Sequence, residues 1–120
     1  VFVPHAIDYT PAMNWILLIT AGLFEVVFAT CLGKAKQSTG AEAAWWYGGF
    51  VVSLAISMVL LIRAVRTLPI GTAYAVWTGV GAVGTVLVGI LLFREPTDPW
   101  RLLFLSTLIA SLVGLKAVTP

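Results

Sequence analysis

Residues 13–32 read MNWILLITAGLFEVVFATCL, an apolar stretch whose only fully charged side chain is Glu25. A helix needs roughly 20 apolar residues to cross the hydrocarbon core of a bilayer, so this stretch predicts a transmembrane helix. Three more runs of that kind follow, at about 43–62, 70–93 and 100–118. The connecting segments GKAKQSTGAE, RAVRTLP and REPTDP carry the Gly, Pro and charge that end helices at an interface. Trp15, Trp45, Trp46, Tyr47 and Trp100 fall near the starts of the spans, where amphipathic rings anchor a helix at headgroup level. The pattern predicts an all-α membrane protein, a bundle of four transmembrane helices running up and down through short loops.

Composition agrees. Of 120 residues, 60% are hydrophobic and 10% charged, with a mean hydropathy of +1.02. That excludes an ordinary soluble domain. A chain this short has too few spans to enclose a wide pathway alone, so oligomerisation is expected. The net charge of +2 comes with no basic run interleaved with aromatics, which makes nucleic acid a poor partner. Cys31 is the sole cysteine and reads as a small buried hydrophobe, and His5 has no partner motif for a metal. No metal or cofactor is expected, and no nucleophile–base pair points to an enzyme. Residues 1–12, VFVPHAIDYTPA, hold two prolines and no helical period. They read as a disordered N-terminal extension or a remnant of expression ahead of a four-span unit over 13–120, and they lack the basic segment that opens a signal peptide.

Charge does not choose an orientation. The tails and second loop carry Arg63, Arg66 and Lys116, and the other side carries Lys34, Lys36, Arg94 and Arg101. Positive charge normally fixes which loops stay inside. Either another signal fixes one topology, or the chain inserts both ways. The second case predicts a dual-topology antiparallel homodimer, which would build the inverted-repeat plan of transporters from one small chain.

Glu25 then demands a reason. An acid at a helix centre costs roughly 2.5–3.5 kcal/mol on the insertion scale, against ~0.3–0.6 returned by each Leu, Ile, Val or Phe of the span. With the site empty, the neutral acid is the cheaper state. A bound cation favours the carboxylate. Proton and cation compete for one group, and a site open to one side at a time turns that competition into antiport. The alternative is a Glu paired to a basic residue for helix register, but every basic side chain lies near an interface. Gly22 and Phe28, at i−3 and i+3, share the Glu25 face; the first leaves room and the second offers an aromatic wall to a cation.

The third span contains GTAYAVWTGVGAVG, residues 71–84. Its GVGAVG matches the dinucleotide fingerprint letter for letter, yet it lies within an apolar helix-length run without the βαβ setting that motif requires. Gly79 and Gly81 are better read as a close-packing and bending point. Tyr74 and Trp77 share a face, either as a packed pair or as cation-binding aromatics. Ser53 and Ser57 in the second span either satisfy their own backbone or steady the carboxylate. Ser106, Ala110 and Gly114 in the fourth form a small-residue ridge, a candidate dimer contact or lipid-facing filler.

With AGLFEVV in the first span and RTLPIGTAYAVWTGVGAVG in the third, the chain resembles the small multidrug resistance transporters from about Met13 to Ala117. The block from Thr67 to Gly84 is the most specific, and WTG with GAVG is similar to the guanidinium-exporter branch. The resemblance implies an antiparallel homodimer in the inner (plasma) membrane of a prokaryote, exchanging protons for a small organic cation. It implies that Glu25 binds proton or substrate, that Tyr74 and Trp77 are binding aromatics, that Ser57 supports the carboxylate and that Gly22 is a small residue on the same face. Two departures stand out. Phe28 occupies a position where the branch usually has Trp, and the first loop looks longer than the family's. Three further readings remain open: an exporter of quaternary ammonium and other hydrophobic drugs, a non-transporting scaffold, and one subunit of a heterodimer.

Overall fold

The computed structural model describes residues 11–119 and is helical almost throughout. α1 spans Pro11–Lys36, α2 Gly40–Ala64, α3 Ile70–Leu92 and α4 Pro99–Val118. All four are long and apolar enough to cross a membrane. The expected residue 1–12 extension lies mostly outside the described residues, but Pro11 and Ala12 already belong to α1. A proline at the first helical position lacks only an N–H that would have no intrahelical partner anyway.

The first connection is shorter than the sequence suggested. Most of GKAKQSTGAEAAWWYGG is helix, and only residues 37–39 join α1 to α2. Lys34 and Lys36 sit in the last turn of α1, where positive charge favours the helix dipole. The Ser38 hydroxyl donates to the Lys34 carbonyl (2.8 Å), and Gly40 enters α2 at φ +61°. A long polar-looking loop is thus absorbed into two helix ends. At the α3–α4 link, Arg94 adopts φ 54° and returns the Glu95 N–H to the Gly89 carbonyl (3.0 Å). Asp98 caps α4 by accepting from the Trp100 N–H (2.9 Å), and Arg101 pairs with Glu95 (2.7 Å).

The helices stand in a row, α2–α1–α3–α4. α1 packs along both α2 and α3, α2 also touches α3, and the α4 backbone approaches α3 alone. The row measures 51 × 37 × 17 Å, so its thin direction is less than two helix diameters of roughly 10–12 Å each. The core is the strip where α1, α2 and α3 meet: Trp15, Leu18, Ala21, Ala64, Leu68, Ala73, Val76 and Trp77. Alanines at three of these sites let the helices approach closely. Trp15 turns into this core and is 8% exposed, while Trp45 and Trp100 are open at 81% and 66%. Of those three tryptophans, the anchoring role expected at span starts fits the last two. No residue of α4 is buried.

Candidate functional site

Ala21, Gly22 and Glu25 lie on the α1 face that meets α3. Gly22 is buried, and a Cβ there would meet Val80 at 2.7 Å and the Trp77 carbonyl at 3.4 Å. Its bare backbone therefore sets the α1–α3 distance. One turn on, the Glu25 side chain lies over Gly81. A Cβ at Gly81 would come within 2.5 Å of the carboxyl carbon and Oε1. Glu25 Oε1 is buried and has no hydrogen-bond partner, a condition that Asn14 Oδ1 shares near the start of α1. An unpartnered buried carboxyl oxygen is a high-energy arrangement and an open acceptor for a donor that enters the site.

Beside it runs a short relay. Trp77 Nε1 donates to Ser57 Oγ (3.0 Å), and Ser57 Oγ donates to the Ala21 carbonyl (2.7 Å). Both side chains are buried. The relay ties α3, α2 and α1 together at one level. It also fixes where the Ser57 proton goes. A hydroxyl has one proton, and this one goes to Ala21, so Ser57 does not donate to Glu25. In helix geometry the Ala21 carbonyl also accepts the N–H of Glu25, so Ser57 braces the turn that carries the carboxylate. Ser53 follows the other reading: its hydroxyl donates back to the Gly49 carbonyl of its own helix (2.6 Å).

The aromatic residues divide. Tyr74 is 57% exposed and its ring lies 5.5 Å from that of Trp77, tilted by 53°. The pair presents an open edge next to a buried one. Phe28 packs edge-to-face on Phe50 of α2, with ring centroids 5.7 Å apart. Its wall is thus shared with α2.

The two glycines proposed as a bend serve opposite sides of α3, which runs unbroken from Ile70 to Leu92. Gly79 receives Leu112 of α4, whose Cδ2 would stand 2.6 Å from an added Cβ, whereas Gly81 receives Glu25. Ser106, Ala110 and Gly114 are all exposed, and nothing lies within 4 Å of a Cβ built on Gly114. The Ser106 hydroxyl donates to the Leu102 carbonyl (2.8 Å). Among the described residues no cluster of His, Cys, Asp and Glu could hold a metal ion.

Sequence reasoning missed the Gly81–Glu25 contact and the Ser57–Ala21 bond. The first could have been sought as an acid and a glycine at matching depth in two spans. The second carries no periodic signal, since it joins a side chain to a backbone group of another helix.

The sequence profile of the family described as Small Multidrug Resistance protein matches residues 13–108. The chain is 47% identical over 104 residues to the Guanidinium exporter of Salmonella typhimurium strain LT2, covering 87% of this chain and 96% of that one. It is 46% identical over 107 residues to the Guanidinium exporter of Citrobacter freundii, covering 89% and 99%. It is 42% identical over 107 residues to the Probable guanidinium efflux system subunit GdnD of Bacillus licheniformis, covering 89% and 100%. Together with four membrane-length helices, these matches make the chain a multi-pass membrane protein that belongs to the small multidrug resistance family.

Proposed function

We propose that the protein is a proton-coupled antiporter that exports guanidinium or small guanidinyl cations across the inner membrane of a prokaryote, working as a dual-topology antiparallel homodimer. The observation that carries this reading is the Glu25 carboxyl, set in a membrane-length helix with Oε1 buried and unpartnered. A planar guanidinium donates hydrogen bonds in its own plane and pairs with a carboxylate through two of them. A proton satisfies the same group when the cation leaves. Gly22 and Gly81 keep the space around the carboxyl clear, Tyr74 and Trp77 form the aromatic wall, and Ser57 holds the α1 backbone in register. Phe28 adds an apolar edge.

Relatives named as guanidinium exporters support the substrate class. The thin row of helices supports a partner, since one layer cannot surround a cation, and the exposed α4 ridge of Ser106, Ala110 and Gly114 is where a second α4 would pack. Balanced loop charge supports opposite insertion of that partner. Likeness to a relative named as an efflux-system subunit favours a second reading for assembly, pairing with a different chain. Proteoliposomes on a solid-supported electrode test the function. Guanidinium jumps should drive current in the purified single chain, and tetrapropylammonium should drive less. Currents only with a second, co-expressed chain would favour the heteromer, and larger tetrapropylammonium currents would overturn the substrate assignment.

A further inference from the structure

A groove of about 440 Å³ runs along the side of the row, with α3 as its floor and α1 and α4 as its walls. Trp15, Leu23, Val80, Leu87 and Val113 line it, and Lys116 closes one end. The α1 and α4 backbones do not approach each other along it. Leu23 stands two residues before Glu25, about 200° around the helix at ~3.6 residues per turn, so the groove opens away from the carboxyl face.

We infer that this groove is a binding site for an anionic phospholipid, with an acyl chain lying along α3 and the headgroup phosphate on Lys116. Length supports an acyl occupant. From Val76 to Leu87 the floor rises about 16 Å at ~1.5 Å per residue, a length that an acyl tail can follow from the Lys116 end through the bilayer middle. Chemistry supports it as well, since apart from the lysine the lining is aliphatic, aromatic or glycine. Charge selects the headgroup. Lys116 lies in the last turn of α4, its Nζ stands 5.1 Å from the Trp15 ring centroid, and among the described residues it has no carboxylate partner. Lys116 and the start of α1 lie at the same end of the bundle, so the ammonium stands near the interface level where a phosphate resides. A groove that needed only to be covered would not require a cation at its mouth.

Native mass spectrometry of the full chain tests this, with dioleoyl phosphatidylglycerol and dioleoyl phosphatidylcholine as probes. Phosphatidylglycerol should be retained about fivefold better, the preference expected of one lysine at an anionic surface. Lys116→Gln should remove the preference while leaving weak binding of both lipids. Val113→Trp, which fills the groove from an exposed position, should lose both, with helicity by circular dichroism showing that the variant is folded. Equal retention of the two lipids, a preference that survives Lys116→Gln, or binding that survives Val113→Trp would overturn the site. So would lipid found on monomers and absent from dimers, because the groove would then be covered by a second copy.

Discussion

Trp77 gives its indole proton to Ser57 across 3.0 Å, and Ser57 passes its own to the backbone of α1 at Ala21. Three helices are thereby fixed at one level, one turn before Glu25. Replacing Ser57 with Ala removes an acceptor and a donor together and leaves a buried indole N–H unpaired, at about 1–3 kcal/mol. Ser57→Ala should lower thermal stability and weaken guanidinium binding, and Trp77→Phe should do the same. Because the two share one bond, the double variant should lose less than the sum. Additive losses in a double-mutant cycle on the melting transition would break the link.

Gly81 makes a sharper test of the carboxyl. An added methyl would strike the mobile carboxyl end of Glu25 and also its Cβ, at 2.8 Å, so both the side chain and the α1–α3 spacing must give. Gly81→Ala should therefore lower stability by the ~1–3 kcal/mol typical of overpacking and cut guanidinium-driven current by about tenfold. Gly79→Ala presses on Leu112 instead, and should loosen the α3–α4 seam with a smaller effect on affinity. Electrode currents should thus separate the two variants more than melting curves do.

Glu25→Gln keeps size and loses the exchangeable proton. The variant should fold and carry no proton-coupled guanidinium current. In the unaltered chain, lowering pH should raise the guanidinium concentration needed for half-maximal current, as competition for one carboxylate requires. Wild-type current from Glu25→Gln, or a half-maximal concentration indifferent to pH, would sink the antiport mechanism.

The helical plan was legible because bilayer thickness writes itself into run length. Glu25 was equally visible as a charge where none is cheap. Other features were not. The first connection looked long because Lys34, Lys36 and Ser38 are polar, yet they serve a helix end. Trp15 looked like an interfacial anchor by position, but its ring packs with Leu18 and Ala64 in the core. Ser57 read either as satisfying its own backbone or as steadying the acid, and its bond goes to a carbonyl of α1, a choice set by the distance between α1 and α2 that no single-sequence pattern records.

Phe28 offers a test of selectivity. Its ring sits edge-to-face on Phe50, so the wall near Glu25 is braced from α2 without an indole N–H. Phe28→Trp should change guanidinium affinity by less than about tenfold, or ~1.4 kcal/mol, and guanidinium should compete with protons better than tetrapropylammonium does before and after the change. A reversal of that order would reassign the substrate.

Assembly has its own test. Reporter fusions to the C-terminus should be found on both sides of the membrane, as the near-balance of three basic residues against four permits. A single location, with a dimer formed by this chain alone, would rule out the inverted pair.

The row order gives α3 a further character. Leu112 of α4 seats at Gly79 and the Glu25 carboxyl seats at Gly81, two residues apart on nearly opposite sides of one helix. The α4 backbone approaches α3 alone, and the Lys116 ammonium over the Trp15 ring is a side-chain link to α1. One rod thus carries the outer seam and the glycine under the carboxyl. In the proposed antiporter that rod would act as a rocker, with the partner-facing surface on one arm and the proton on the other.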